Sequence, residues 1–271
     1  MSMKVLYSPP MRRRLILLAT AALVLAGAPA VAQHRGMGQS AGQSQFGAAL
    51  PAAGLTVTFH GNARCVPIAS PYGSPTRYDG SSRRIGGGPG VTHGGIDLTL
   101  AEGTPLLAIA AGSAFGAGEG GQMEGNYLWL LHLPERSGLP FAFLAKYQHL
   151  AARPSLPRGA AVALGQEIAR SGSSGTAGGH YGAAGYAHLH LTVRAIPADK
   201  VALALGPEEG FSVVRDSIQI DPLTLYVPGL RAPGDAQTLP AERKQLVVGY
   251  VDAGGVVRPS SARTVWPVAC P

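Results

Sequence analysis

The sequence predicts a mainly β protein: an antiparallel sheet of sandwich- or barrel-like form with few helices. Three observations carry that expectation. Glycine (38) and proline (22) are abundant among 271 residues. Long runs of helix formers are lacking, and strand-like segments recur at short intervals with Gly, Pro or Asn in nearly every gap. The length suits one medium or two small domains with a sizeable core. Charged residues make up only 14%, which excludes a disordered polyelectrolyte.

Taken in chain order, the first segment is expected to be an export signal. Arg12, Arg13 and Arg14 form a basic n-region, residues 15–26 an apolar h-region, and Ala30-Val31-Ala32 the small residues of a cleavage site. Residues 1–32 therefore read as a signal peptide, with a periplasmic or secreted product. The apolar run falls short of the ~20 residues that cross a bilayer, so no stable membrane span is expected after cleavage. Removing Lys4 and the three arginines leaves 18 basic residues against 15 acidic ones, a mature charge near +3. Clustered Lys/Arg with interleaved aromatics is missing, so a nucleic-acid surface is not expected. A mild positive charge suits an anionic polymer.

Residues 33–54, rich in Gln, Gly, Ala and Ser, read as a flexible spacer. Residues 55–271 read as a single β-rich domain. Its first strand is the alternating run 55–59, and an irregular loop is expected over 77–90. Further strands are expected at 96–100, 106–110, 127–132, 141–150 and 188–193, then at 213–220 and 246–251. Residues 171–187 are mostly Gly, Ser, Ala and Thr, with His180, Tyr181 and Tyr186 set among them. They form either a mobile rim beside a cleft or a tolerated loop insertion. No Gly-rich phosphate loop, strand–helix alternation or internal repeat is present, so a nucleotide-binding α/β fold is not expected. The two cysteines, Cys65 and Cys270, are expected to pair in an oxidising compartment.

The informative histidines fall in three places. In His93-Gly94-Gly95-Ile96-Asp97, an extended backbone sets positions 93, 95 and 97 on one face, so imidazole and carboxylate can converge. Alone, that spacing arises often by chance. In His188-Leu189-His190 a strand points both rings the same way while the leucines face a core; in isolation such a pair is more often a surface feature. His149 ends another strand-like run. What raises all three is their combination: imidazoles and a carboxylate on separate strands make a hydrolytic zinc inventory. His132, His34 and His60 read as structural.

Together these residues resemble the lysostaphin-type, or LytM-like, zinc metalloendopeptidases. The likeness extends to Tyr147-x-His149-Leu150, Gly103-Thr104-Pro105, Ala108-x-Ala110-x-Gly112, Gly125-Asn126-Tyr127 and Gly165-x-x-Ile168 before Ser171-Gly172, and covers residues 91–194. The resemblance implies an antiparallel sheet with an open groove, one Zn2+ bound by His93, Asp97 and His190, and catalytic roles for His149 and His188. It implies a peptidoglycan stem peptide or cross-bridge as substrate. Residues after 194 are then a C-terminal extension packed on that core. The chain departs from the family pattern at 175–187, which intervene before the HxH strand. A non-catalytic wall-binding or amidase-activating protein on the same fold is the alternative reading.

Overall fold

The computed structural model describes residues 48–83, 91–121, 124–176, 186–206 and 210–271. The expected signal peptide, most of the spacer, and His34 and His180 lie outside the described residues. The strands are β1 (Thr56–Phe59), β2 (Ile96–Thr99), β3 (Pro105–Leu107), β4 (Gly112–Glu119), β5 (Asn126–His132), β6 (Phe143–Leu150), β7 (Ala161–Val162), β8 (Glu167–Arg170), β9 (His188–Ala195), β10 (Ile218–Ile220), β11 (Gln245–Val248), β12 (Tyr250–Val251) and β13 (Val257–Arg258). Three short helices join them: α1 (Pro134–Ser137), α2 (Val201–Leu205) and α3 (Gly210–Asp216).

Seven strands form the main sheet, in the order β10-β9-β6-β5-β4-β7, with β2 also paired to β9. Every pairing in this sheet is antiparallel. The sheet is open rather than closed into a barrel. β9 is its organiser. One edge is covered by β6, while the other is shared by β2 along residues 188–191 and by β10 along 193–195.

The sequence HLHLTVRA explains why β9 takes that place. Leu189, Leu191, Val193 and Ala195 are all buried and face the principal core with Ile96, Leu98, Tyr147 and Leu128. Each such aliphatic side chain stabilises by about 1.5–3 kcal/mol when fully removed from water. The intervening His188, His190, Thr192 and Arg194 point to the opposite face. A second apolar cluster, with Phe115, Trp129, Leu131 and Leu144, lies on that opposite face and is covered by Ala204 of α2 and Val213 of α3. The helices thus cover one end of the face and leave the end bearing the two histidines to the loops.

The structure departs from the sequence expectation in the C-terminal strands and in the pairing of β1. Residues 213–220 are not one strand: α3 runs Gly210–Asp216 and only Ile218–Ile220 is extended. The buried guanidinium of Arg194 donates to the carbonyls of Val214 and Ser217, satisfying the end of the helix and overriding the β preference of Val213 and Val214. The run 246–251 breaks at Gly249, where a Cβ would meet Ala262 at 2.8 Å and the carbonyl of Thr264 at 2.9 Å. β1 pairs with β11 in parallel, from Thr56↔Gln245 to Phe59↔Val248, beside the otherwise antiparallel set.

The C-terminal segment completes the core. Trp266 is fully buried, packs edge-on against Phe59 at 5.3 Å, and donates its indole N–H to the carbonyl of Val66 at 3.0 Å. Cys65 and Cys270 form a disulfide with Cα atoms 4.7 Å apart, across 205 residues of chain. No helix among the described residues is long and apolar enough to cross a membrane.

Candidate metal centre

The β2–β9 register creates the site. Asp97 stands directly opposite His190, and both side chains leave the sheet on the face away from the core. Their contact is short, 2.8 Å between Asp97 Oδ1 and His190 Nδ1. His93 lies just before β2 and is clamped by the segment 70–74. Its N–H donates to the carbonyl of Ser74 at 2.9 Å, and its carbonyl accepts from Gly73 N–H at 2.8 Å. His93 Nε2 reaches Asp97 Oδ1 at 3.1 Å and His190 Nδ1 at 3.0 Å. A glycine is required at position 95, because a Cβ there would collide with the carbonyl of Leu191 and lie 2.9 Å from His190 Nε2.

The hydrogen-bond partners identify which atoms carry lone pairs. The carbonyl of Pro71 can only accept, so His93 Nδ1, 3.0 Å away, holds the proton and Nε2 is bare. His190 Nε2 lies 3.0 Å from Thr192 Oγ1; donation there leaves the lone pair on Nδ1. Burial lowers the His93 pKa further, keeping the ring neutral. Burial alone would raise the Asp97 carboxyl, but its histidine neighbours outweigh this and hold it well below the usual range. A carboxylate oxygen and two imidazole nitrogens therefore aim at one another.

Such a cluster is poorly satisfied by itself and well suited to a cation. His93, Asp97 and His190 offer ligand atoms all within 4.8 Å. The three close contacts of 2.8–3.1 Å approach the ~3.3 Å that separates donors about 2.05 Å from a tetrahedral zinc ion. The outer carboxylate oxygen, Asp97 Oδ2, faces Arg83 Nη2 at 3.5 Å, and the same guanidinium donates to Ser70 Oγ at 2.8 Å.

His149 and His188 flank this trio. His149 sits at φ +62°, a left-handed backbone unusual for a side chain other than glycine. Its Nδ1–H donates to the carbonyl of Ser174 at 2.8 Å. The ring centroid is 4.4 Å from that of His188 and 6.0 Å from that of His190. His188 donates Nδ1–H to the carbonyl of Tyr186 at 3.1 Å, stacks on the Tyr186 ring at 4.1 Å, and places Nε2 3.9 Å from Asp97 Oδ1. Burial pushes His149 down to about 3 and His188 to about 4, so both rings are neutral at pH 7 with the lone pair on Nε2.

All five residues singled out from the sequence therefore meet in one place. His132 does not: it is fully buried elsewhere, stacked on Phe143 at 4.5 Å with Nδ1 against the carbonyl of Ala111. His60 lies in an exposed turn. Sequence reasoning missed the supporting groups. Ser70 forms a bridge with Asp97, and Ser174 takes His149 while its hydroxyl joins Leu150 to Asn126. The turn-forming Ser70-Pro71-Tyr72-Gly73 and the Gly125-Asn126 pair were the available signals.

Residues 91–202 match the model of peptidase family M23. Among solved structures, the catalytic domain of the antimicrobial peptidase lysostaphin from Staphylococcus simulans is 24% identical over 56% of this chain and 86% of its own, with a TM-score of 0.36. LytU is 20% identical over 64% of this chain and 92% of its own, with a TM-score of 0.39. Helicobacter pylori Csd3 is 20% identical over 69% and 37%, with a TM-score of 0.38. No curated protein matches the chain.

Proposed function

We propose that this chain is a zinc-dependent endopeptidase that hydrolyses peptide bonds in the stem peptides or cross-bridges of peptidoglycan. The observation that carries the reading is the convergence of His93 Nε2, Asp97 Oδ1 and His190 Nδ1 at mutual distances of 2.8–3.1 Å, with two further neutral imidazoles alongside. The peptidase family match supports hydrolysis of a peptide bond. The wall substrate follows from the resemblance to lysostaphin-type enzymes. The chain is proposed to act after export, with residues 1–32 removed, 33–54 a spacer and 55–271 the working domain.

His93, Asp97 and His190 would hold the ion, which when bound supplies a Lewis acid for water and the scissile carbonyl. The remaining chemistry falls to the protein. Asp97 is engaged by the trio and no second carboxylate joins the cluster among the described residues, so imidazole moves the protons. The Nε2 lone pair of one of these two rings, His149 or His188, accepts a proton from the attacking water. The resulting imidazolium returns one to the departing amine and hydrogen-bonds the developing oxyanion. The carbonyls of Ser174 and Tyr186 hold the tautomers and steady the cation while it exists.

Zymography on purified sacculi, with and without a chelator, tests the proposal. Clearing lost to the chelator and restored by zinc is the expected result. Intact sacculi under all conditions would refute it and favour the wall-binding alternative.

A further inference from the structure

Gln219 lies on β10, outside residues 91–202 that match the peptidase family, yet it reaches the ligand loop. Its side chain is bonded at both ends. Arg194 Nη1 donates to Oε1 at 3.0 Å, and Nε2 donates to the carbonyl of Gly94 at 2.6 Å. Because a guanidinium only donates, the amide can take one orientation, with its NH2 group turned to Gly94. The backbone is restrained too. Gln219 N–H donates to the carbonyl of Ala48 at 2.8 Å, and its own carbonyl accepts from Leu50 at 2.9 Å.

The anchor behind it is rigid. Arg194 is only 2% exposed, and its other nitrogens are fixed by Ser217 Oγ at 2.7 Å, the Ser217 carbonyl at 2.6 Å and the Val214 carbonyl at 3.0 Å. Arg194 lies four residues beyond His190 on the same face of β9, and Gly94 follows His93 directly. One chain of hydrogen bonds therefore ties the segment bearing His93 to the strand bearing His190. A Cβ at 94 would lie 2.5 Å from Gln219 Nε2, so any side chain there would push that amide aside.

We infer that Gln219 is a positioning residue for the metal centre, holding the His93–Gly94 peptide so that the His93 imidazole meets Asp97 and His190. This rests on the metal-site reading above. Outer partners that orient a ligand typically change metal affinity by 10–100-fold, and that is the magnitude assigned to the Gln219–Gly94 bond.

The test compares Gln219→Met, which keeps length and volume but loses both bonds, with Leu246→Ala, which opens a cavity in the core under β11 and leaves Arg194, Gln219 and Gly94 in place. Gly94→Ala is a second route to the same break. Zinc affinity is measured by competition with a chromophoric chelator, and the thermal midpoint on the metal-free protein. The inference predicts 10–100-fold weaker zinc binding for Gln219→Met and Gly94→Ala, with Leu246→Ala near wild type in affinity even where its midpoint falls. Wild-type affinity in Gln219→Met and Gly94→Ala, or equal losses in Leu246→Ala, would overturn it. Zinc binding unchanged by His93→Ala would instead remove the metal-site reading, and the positioning role with it.

Discussion

His132 allows a quantitative forecast of acid sensitivity. The ring is fully buried, with Nδ1 on the Ala111 carbonyl and Nε2 without a hydrogen-bond partner among the described residues. Burial drops its pKa from 6.5 to about 4, the Ala111 carbonyl opposing this only in part. Between those values the unfolded chain binds a proton that the folded chain refuses, so stability falls as pH drops through 6.5 and levels off below 4. At about 1.4 kcal/mol per pH unit the full interval is worth roughly 3 kcal/mol, and the part lost between pH 8 and pH 5 roughly 2 kcal/mol. The perturbation is His132→Leu, which removes the titrating ring at similar volume. The assay is urea unfolding of both proteins at pH 8 and pH 5. The remaining groups are common to both proteins and cancel in the difference, so the wild type should lose roughly 2 kcal/mol more than the variant over that step. Equal losses would refute the reasoning, whatever the absolute stabilities.

Other expectations are simpler to read. His149→Ala should cut turnover by about 100- to 10,000-fold while zinc content stays at wild type, since its ring is outside the ligand trio; unchanged hydrolysis would remove its role. Gly95→Ala should lower zinc affinity, because its methyl group enters the space of the Leu191 carbonyl and the His190 ring; a metal titration matching wild type would contradict that contact. Replacing Cys65 and Cys270 together with serine should cost about 2–5 kcal/mol, as expected for loss of a native disulfide, and calorimetry would expose the idea as wrong if the midpoint did not move.

How far the sequence spoke for the fold depends on which face each residue served. Strands with strict alternation, such as HLHLTVRA, announce both themselves and their two faces. β4 does not. Its sequence GSAFGAGE is mostly small residues around one buried Phe115, with a register shift against β5 between Ala114 and Gly116, so no periodicity marks it. α3 misleads for a different reason: its Val213-Val214 pair favours a strand, while Arg194, distant in sequence, and the Ser217 hydroxyl satisfy the Val214 carbonyl at the helix end. The five site residues were legible because metal chemistry demands particular side chains at particular spacings. Their supports were not. Ser174, Tyr186 and Pro71 contribute backbone carbonyls, and any residue type carries one. The left-handed backbone of His149 likewise leaves no mark in composition.

The parallel pairing of β1 with β11 has a temporal consequence. Thr56 finds its partner only at Gln245, and Phe59 and Val66 find theirs at Trp266. Such distant closures are slow to form. A ribosome would have to release the chain through Val248 before its early strand could dock. Until then Phe59 and the strand edge stay open, and a truncation at residue 240 would orphan them for good.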